Sequence, residues 1–282
     1  MSTTIARKPE SLQDAIRAVI SSDDCELPVL PEVAAQLLKL TGDVDCEVSD
    51  IVALIKRDQS LTSHLLRIAN SVRYSTGVTV SSIQQAVARL GLLCVREIVV
   101  LISCQCKIFD VPDFEAHVRQ SFRRSLATAA FAQEIARVRR MNVEEAFLSG
   151  LLHDVGRPIL FQALATRRRR YGLAASDAEI CEAAEKHRIL LAAKLIISWD
   201  LSARVAEAVQ FQLSPQDAPG CLQQAATINL ASYLADKALS SRPAPESSDS
   251  HPMLTVLSIY PEQFQSILRN QDEILEWVNS TT

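Results

Sequence analysis

Residues 146–156, with the sequence AFLSGLLHDVG, constrain the fold of this chain more than any other segment. The stretch is apolar with helical spacing, and it carries His153 and Asp154 side by side just before Gly156. A buried helix end that holds an adjacent imidazole and carboxylate is typical of a metal or phosphate site. The function therefore depends on which residues elsewhere in the chain could complete such a site.

The composition around this segment predicts an all-α fold. Only seven glycines occur among 282 residues, while Ala, Leu, Arg, Glu and Gln are abundant. These side chains lose little freedom in a helix, whereas glycine loses the most. Apolar residues make up 48% of the chain, which is enough for the core of one large domain or two small ones.

The sequence shows no sign of export or membrane insertion. Residues 1–10 lack an apolar signal core, and the most apolar segment, residues 92–109, is interrupted by charged side chains. The seven cysteines are an odd number without paired spacing, so we interpret them as reduced packing residues. Cys104 and Cys106 form a weak metal or redox motif with no second pair nearby, and we interpret them in the same way. A cytoplasmic protein is expected.

The charge is unevenly distributed along the chain. The formal net charge is -4, which gives no reason to expect that the whole chain binds nucleic acid. However, 11 arginines fall between Arg119 and Arg170. The last four, Arg167, Arg168, Arg169 and Arg170, are candidates for contact with an anion or an acidic partner. The alternative is that they form a solvated helix end before the loop at Gly172.

Hydrophobic periodicity and capping residues predict a long series of helices. Asp58 is placed to cap one of them, and Ser81 or Ser82 another. The polar, proline-bearing segment 240–250 is the clearest linker. The expected helices cover residues 11–20, 31–41, 49–57, 60–72, 83–90, 92–109, 114–139, 143–153, 177–185, 187–199, 202–213, 221–239 and 261–278.

Four segments together resemble the HDOD family, in order and at its spacing. They are LPVLPEV at residues 27–33, IKRDQSLTSHLLRIANS at 55–71, SIQQAVARLG at 82–91, and residues 146–156. The resemblance covers roughly residues 21–215. It implies a multi-helical HDOD fold in which an N-terminal helical subdomain packs on a subdomain similar to the HD phosphohydrolases.

The resemblance also implies a domain organisation. The N-terminal helical part would span about residues 21–110, and the HD-like part residues 111–215. A helix within residues 1–20 would precede the domain. A C-terminal helical extension, residues 216–282, would follow it, with a mobile linker near residues 240–252.

The family implies a function as well. Its second half resembles that of the HD and HD-GYP metal-dependent phosphohydrolases, yet HDOD proteins are regarded as mostly non-catalytic regulators in bacterial signal transduction. An HD hydrolase needs His and Asp ligands from several helices, because two neighbours on one helix project about 100° apart and cannot enclose an ion.

The residues at the matching positions indicate a degenerate HD site. Where HD enzymes carry a histidine on the preceding helix, this chain has Arg124, and where they carry a later His-His pair it has Phe211 and Gln212. His187 and Asp236 match ligands that related domains often retain. A guanidinium offers no lone pair to a metal and would repel a divalent cation about 4 Å away by several kcal/mol.

We therefore expect no catalytic residues, no cofactor and no metal. If a metal is bound, its ligands would be His153, Asp154 and Asp236. We hypothesise that Arg124 pairs with Asp154 and with Asp236, so that neither carboxylate is buried without a counter-ion. In this interpretation His153 and Asp154 are retained because they hydrogen-bond across helices.

Two functions from different classes remain open. The first is a non-catalytic signalling module that binds a protein partner or a small ligand such as a nucleotide through its helical surface and remnant cleft. The alternative is a metal-dependent phosphohydrolase or phosphodiesterase with an unusual site. A nucleic-acid-associated regulator that uses the arginine-rich middle is a third, weaker idea, which strong salt dependence of binding would reveal.

Overall fold

All the regular secondary structure that is described in this protein is helical. The computed structural model describes residues 10–21, 27, 31–40, 47–71, 73–74, 77–103, 111–240 and 251–281. Within these ranges the regular elements are α-helices and short 3-10 helices, with no strand. The expected all-α class is therefore confirmed. Among the described helices, none combines the length and the apolar character needed to span a bilayer.

The described helices follow one another with short connections. Residues Pro112–Phe114 form a 3-10 turn before the helix that begins at Glu115, and residues Pro215–Asp217 form another before the helix that begins at Leu222. The α-helices are α1 (Leu12–Ser21), α2 (Glu32–Leu40), α3 (Val48–Ile55), α4 (Gln59–Ala69), α5 (Ile83–Leu90), α6 (Leu92–Ser103), α7 (Glu115–Arg139), α8 (Val143–Leu152), α9 (Gly156–Tyr171), α10 (Asp177–Ser198), α11 (Ala203–Gln210), α12 (Leu222–Leu239), α13 (Pro252–Val256), α14 (Pro261–Arg269) and α15 (Gln271–Thr281).

Side-chain caps explain where several of these helices begin. Asp58 accepts a hydrogen bond from the Leu61 N–H at 3.1 Å, as the sequence predicted for α4. Ser82, one of the two serines considered, caps α5 in a reciprocal capping box with Gln85. Each cap satisfies a backbone donor that the first turn of a helix leaves without an intrahelical partner.

The helices differ from the expectation in four places, and two of these are α9 and α13, which the expected series does not contain. α10 runs without interruption through residues 177–198, where two helices were expected, because no glycine or proline breaks it near Lys186. The single helix expected over residues 261–278 is instead two, α14 and α15, separated at Asn270. The Asn270 side chain donates to Glu134 at 2.8 Å, so a contact from α7 holds this corner. Cys104, Cys106 and the linker at residues 241–250 lie outside the described residues.

One hydrophobic core joins the helices on both sides of residue 111. The central helix α7 packs against α8, α12 and α15, and α6 packs against α8. A buried polar contact adds to this junction, because the Gln133 amide donates to Glu97 at 3.2 Å and accepts from Arg73 at 2.9 Å. The expected boundaries of the subdomains and of the C-terminal extension remain predictions.

Candidate functional site

The His-Asp pair lies in the tight turn between α8 and α9. His153 caps the C-terminus of α8, and Gly156 is the first residue of α9. The side chains of His153 and Asp154 are completely buried. Burial removes water as a partner, so the neighbouring protein groups decide what these two side chains can do.

Both nitrogens of His153 are engaged. Nδ1 lies 2.7 Å from the Gly150 carbonyl oxygen, which can only accept, so Nδ1 carries the proton. Nε2 lies 2.9 Å from Nη1 of Arg124 and accepts from it. Burial lowers the pKa of His153 well below its usual value, and the charge of Arg124 lowers it further. His153 is therefore neutral, and its only lone pair is occupied by a guanidinium.

Arg124, on α7, occupies the centre of the site. Its Nε and Nη2 donate to the two carboxylate oxygens of Asp236 at 2.6 and 2.9 Å, and Nη2 also donates to Ser232 Oγ at 2.6 Å. Its Nη1 lies 3.8 Å from Asp154 Oδ2. Burial would lower the pKa of Arg124, but the bonds to Asp236 and the charge of Asp154 outweigh it, so the pKa is raised.

Asp154 is surrounded by three guanidiniums. Arg188 Nη1 lies 3.3 Å from its Oδ1, and Arg157 Nε lies 3.5 Å from its Oδ2, in addition to Arg124. Neither carboxylate oxygen has a hydrogen bond within the described chain, so these contacts are ion pairs only. Burial raises the pKa of Asp154, a shift that the three guanidiniums oppose.

Glu185, on α10, is the third carboxylate of the network. It contacts Arg157 through Oε2 and accepts from Arg188 Nε at 3.0 Å through Oε1. Burial would raise the pKa of Glu185, but the charges of Arg157 and Arg188 outweigh burial and lower it. Three arginines thus face three carboxylates around a neutral histidine, which compensates the buried charges as such a cluster requires.

Two glycines allow the helices to approach closely enough to build this network. A Cβ on Gly150 would lie 2.6 Å from Cα of Ala129, so α8 packs with its backbone against α7, which carries Arg124. A Cβ on Gly156 would lie 1.8 Å from the Arg188 carbonyl oxygen. Only glycine fits where α9 meets α10, and this contact holds Arg188 beside Asp154.

The other sequence-predicted residues divide into those at the network and those outside it. Asp236 is at the network, whereas His187 is only half-buried and α10 points Arg188 toward Asp154 in its place. Gln212 stabilises the turn that carries the pair, because its amide donates to the His153 carbonyl oxygen at 3.0 Å. Phe211, also partly buried, ends α11 one residue before it.

Sequence reasoning missed four of the contacting residues, Arg157, Glu185, Arg188 and Ser232. A signal existed for three of them. Arg188 follows Glu185 by three residues, a spacing at which charged side chains on one helix meet, and Arg157, in the first turn of α9, follows Asp154 by the same interval. Which face of α10 would point inward was not readable from this spacing.

The run of four arginines at the end of α9 is partly engaged within the protein. Arg167 donates to Glu10 at 2.7 Å, and Arg168 donates to Asp177 at 2.8 Å. Arg169 and Arg170 are exposed. Contact of this run with an anion or a partner remains a prediction, and the two exposed arginines are the ones that can make it.

The donor set does not fit a divalent cation. Arg124 takes the His153 lone pair and the Asp236 oxygens that a metal would need, and two further guanidiniums lie beside Asp154. In the described ranges, no group of three or more His, Cys, Asp or Glu side chains is arranged to hold a metal. The arrangement can bind and orient charged groups.

Solved structures with the same fold include proteins of different descriptions. The "Putative phosphohydrolase" of Shewanella amazonensis SB2B is 21% identical, with a TM-score of 0.70 over 95% of this chain and 98% of that one. The "Putative signal transduction protein" of Marinobacter aquaeolei VT8 is 22% identical, with a TM-score of 0.62 over 98% of this chain and 62% of that one. At these identities the likeness shows the fold alone.

Comparisons of sequence add a relative and a family model. An uncharacterized protein of Treponema pallidum (strain Nichols) is 26% identical over 140 residues, which are 49% of this chain and only 27% of that protein. The model of the HDOD domain matches residues 27–215, about two thirds of the chain, and includes the turn that buries His153 and Asp154. The protein therefore belongs to the HDOD family.

Proposed function

We propose that this protein is a non-catalytic regulatory module of bacterial signal transduction, which acts by binding a protein partner or a small ligand. The position of Arg124 is the observation that carries the proposal. Its guanidinium contacts His153, Asp154 and Asp236 together, the three residues that would be the ligands if a metal were bound. A fixed cation that cannot lose its proton supports packing and supplies no Lewis acid or nucleophile.

The proposal is tested by measuring metal and turnover on one sample. The purified protein is loaded with Mn²⁺, desalted, and assayed for metal by elemental analysis and for hydrolysis of a generic phosphodiester. We expect neither bound metal nor turnover. One equivalent of metal together with turnover would overturn the proposal and favour the metal-dependent phosphohydrolase, with His153, Asp154 and Asp236 as ligands.

The variant Arg124→His sharpens this test, because it removes the central guanidinium and restores the residue type that HD enzymes use. We expect the variant to take up more Mn²⁺ than the unchanged protein. Arg123→His is the matched control, since Arg123 is the neighbour of Arg124 on α7 and bonds to Asn279 instead of the buried network. Equal uptake by the two variants would show that Arg124 is not what keeps metal out.

A further inference from the structure

A groove of about 700 Å³ opens beside the buried network. It lies between the first turns of α7 and the end of α12, and Arg124 and Asp236 form part of its wall. A volume of this size lies within the range of small-molecule binding sites in proteins. The groove therefore connects solvent to the edge of the charged network.

The side chains of the groove leave positive charge in excess. Three arginines, Arg119, Arg123 and Arg124, line it, against the two carboxylates Glu115 and Asp236. Asp236 is committed to Arg124 by two hydrogen bonds. Within the described residues, Glu115 pairs with Arg119 alone, and both of these side chains are largely exposed, at 72% and 63%. Such an exposed pair contributes little and is readily exchanged for another anion.

Arg123 has no acidic partner in the described part of the chain. Its Nη2 donates to the neutral amide oxygen of Asn279 at 2.6 Å, and its buried Nε makes no hydrogen bond with any described residue. Arg119 and Arg123 are four residues apart on α7, so their side chains are neighbours on one face of the helix. Like charges at this spacing destabilise a helix slightly, and an anion bridging them would relieve that repulsion.

We propose that this groove binds the phosphate group of a small molecule through Arg119 and Arg123, with Arg124 behind them. Guanidiniums match phosphate oxygens in pairs of parallel hydrogen bonds, which the point charge of an ammonium cannot do. The ligand is held without being cleaved, and in this respect the inference rests on the proposed function. The groove would be the place where a phosphorylated small molecule is sensed.

Isothermal titration calorimetry at low salt tests the inference with three probes: AMP, inorganic phosphate and uncharged adenosine. We expect AMP to bind, adenosine not to bind, and added salt to weaken the AMP affinity. AMP binding more tightly than phosphate identifies an organic phosphate as the ligand class. Equal affinities identify the free ion, and both results support the phosphate site. Absence of saturable binding by both AMP and phosphate would overturn it.

Paired variants locate the site. The double substitution Arg119→Gln with Arg123→Gln should weaken AMP binding by roughly tenfold or more, because two charged hydrogen-bond donors are lost. The matched control, Arg17→Gln with Arg269→Gln, removes the same charge from exposed positions of α1 and α14 that do not line the groove and should change the affinity less than about twofold. Equal weakening by both double variants would overturn the inference.

Release of adenosine from AMP, measured in the same samples, separates this inference from the proposed function. Binding with turnover would contradict the non-catalytic role and leave the phosphate site standing. Absence of both binding and turnover would remove the phosphate site and leave the non-catalytic role standing.

Discussion

At the scale of single residues, the guanidinium of Arg124 determines what the side chains of His153 and Asp154 can bind. His153 and Asp154 form the adjacent His-Asp pair of the chain, and both side chains are completely buried. Arg124 uses the His153 lone pair, and its charge opposes protonation of the ring. In the structure, His153 hydrogen-bonds to Arg124, and Asp154 forms an ion pair with the same guanidinium.

The neutral state of His153 predicts how stability depends on pH. The folded state resists protonation of His153, whereas in the unfolded chain the ring takes up a proton near pH 6.5. The unfolded state then binds more protons, so the free energy of unfolding should fall as the pH drops from about 7 to 5. The contribution of one histidine approaches about 1.4 kcal/mol per pH unit at most.

Urea unfolding of the protein and of the variant His153→Gln at several pH values tests this dependence. The glutamine amide can still donate to the Gly150 carbonyl oxygen and accept from Arg124, but it does not titrate. The variant should lose less stability on acidification. His187→Gln is the matched control, because His187 is half-buried and its pKa is lowered less strongly, by burial and by Lys186. A larger flattening of the pH profile by His187→Gln than by His153→Gln would contradict the prediction.

At the scale of elements, close backbone contacts between helices determine which side chains meet. α9 begins against the Arg188 carbonyl oxygen of α10, and only a glycine at position 156 permits this approach. The same contact orients α10 so that Arg188, and not His187, lies beside Asp154. The identity of the inward residue on α10 is thus a consequence of helix packing.

Gly156→Ala should destabilise the protein by about 3 kcal/mol, the upper part of the usual range for forcing extra volume into a packed core. The added Cβ would lie 1.8 Å from the Arg188 carbonyl oxygen, so α9 and α10 must separate. Gly220→Ala is the control, since its Cβ would lie 3.6 Å from the Glu207 carboxylate oxygens, an ordinary contact. Equal midpoints of urea unfolding for the two variants would refute the role assigned to Gly156.

At the scale of the whole molecule, the helices after residue 215 belong to the same core as the HDOD region. α12 supplies Ser232 and Asp236 to the site, although both residues lie beyond the family match. Trp277, on α15, is fully buried. The centre of its ring lies 6.4 Å from the centre of the Tyr74 ring and 5.4 Å from the Arg73 guanidinium, and both of these residues lie within the HDOD region. Unfolding should therefore be one cooperative transition.

Trp277→Ala tests this continuity. Removing a buried tryptophan should lower the free energy of unfolding by about 3–5 kcal/mol. The transition monitored by circular dichroism should shift as a single step, because both halves lose packing together. Tyr260→Ala, which removes an aromatic ring that is 68% exposed, should cost less than about 1 kcal/mol. Two separate transitions in the tryptophan variant would show that the C-terminal helices fold independently.

The helical class, the family and the residues at the centre of the site can all be read from the order of the amino acids. Helix propensity, caps such as Asp58 and the pattern around His153 are local properties, and local properties can be read along a chain. The substitution of an arginine at position 124 is equally local, and its inability to ligate a metal follows from its chemistry alone.

The residues that surround Asp154, in contrast, follow from how the helices pack. Arg157 and Arg188 contact its carboxylate, and Gln212, in the turn after α11, donates to the His153 carbonyl oxygen. These outcomes depend on the rotation of each helix about its own axis. That rotation is set by contacts between residues far apart in the chain, such as Gly156 against Arg188, which no local pattern records.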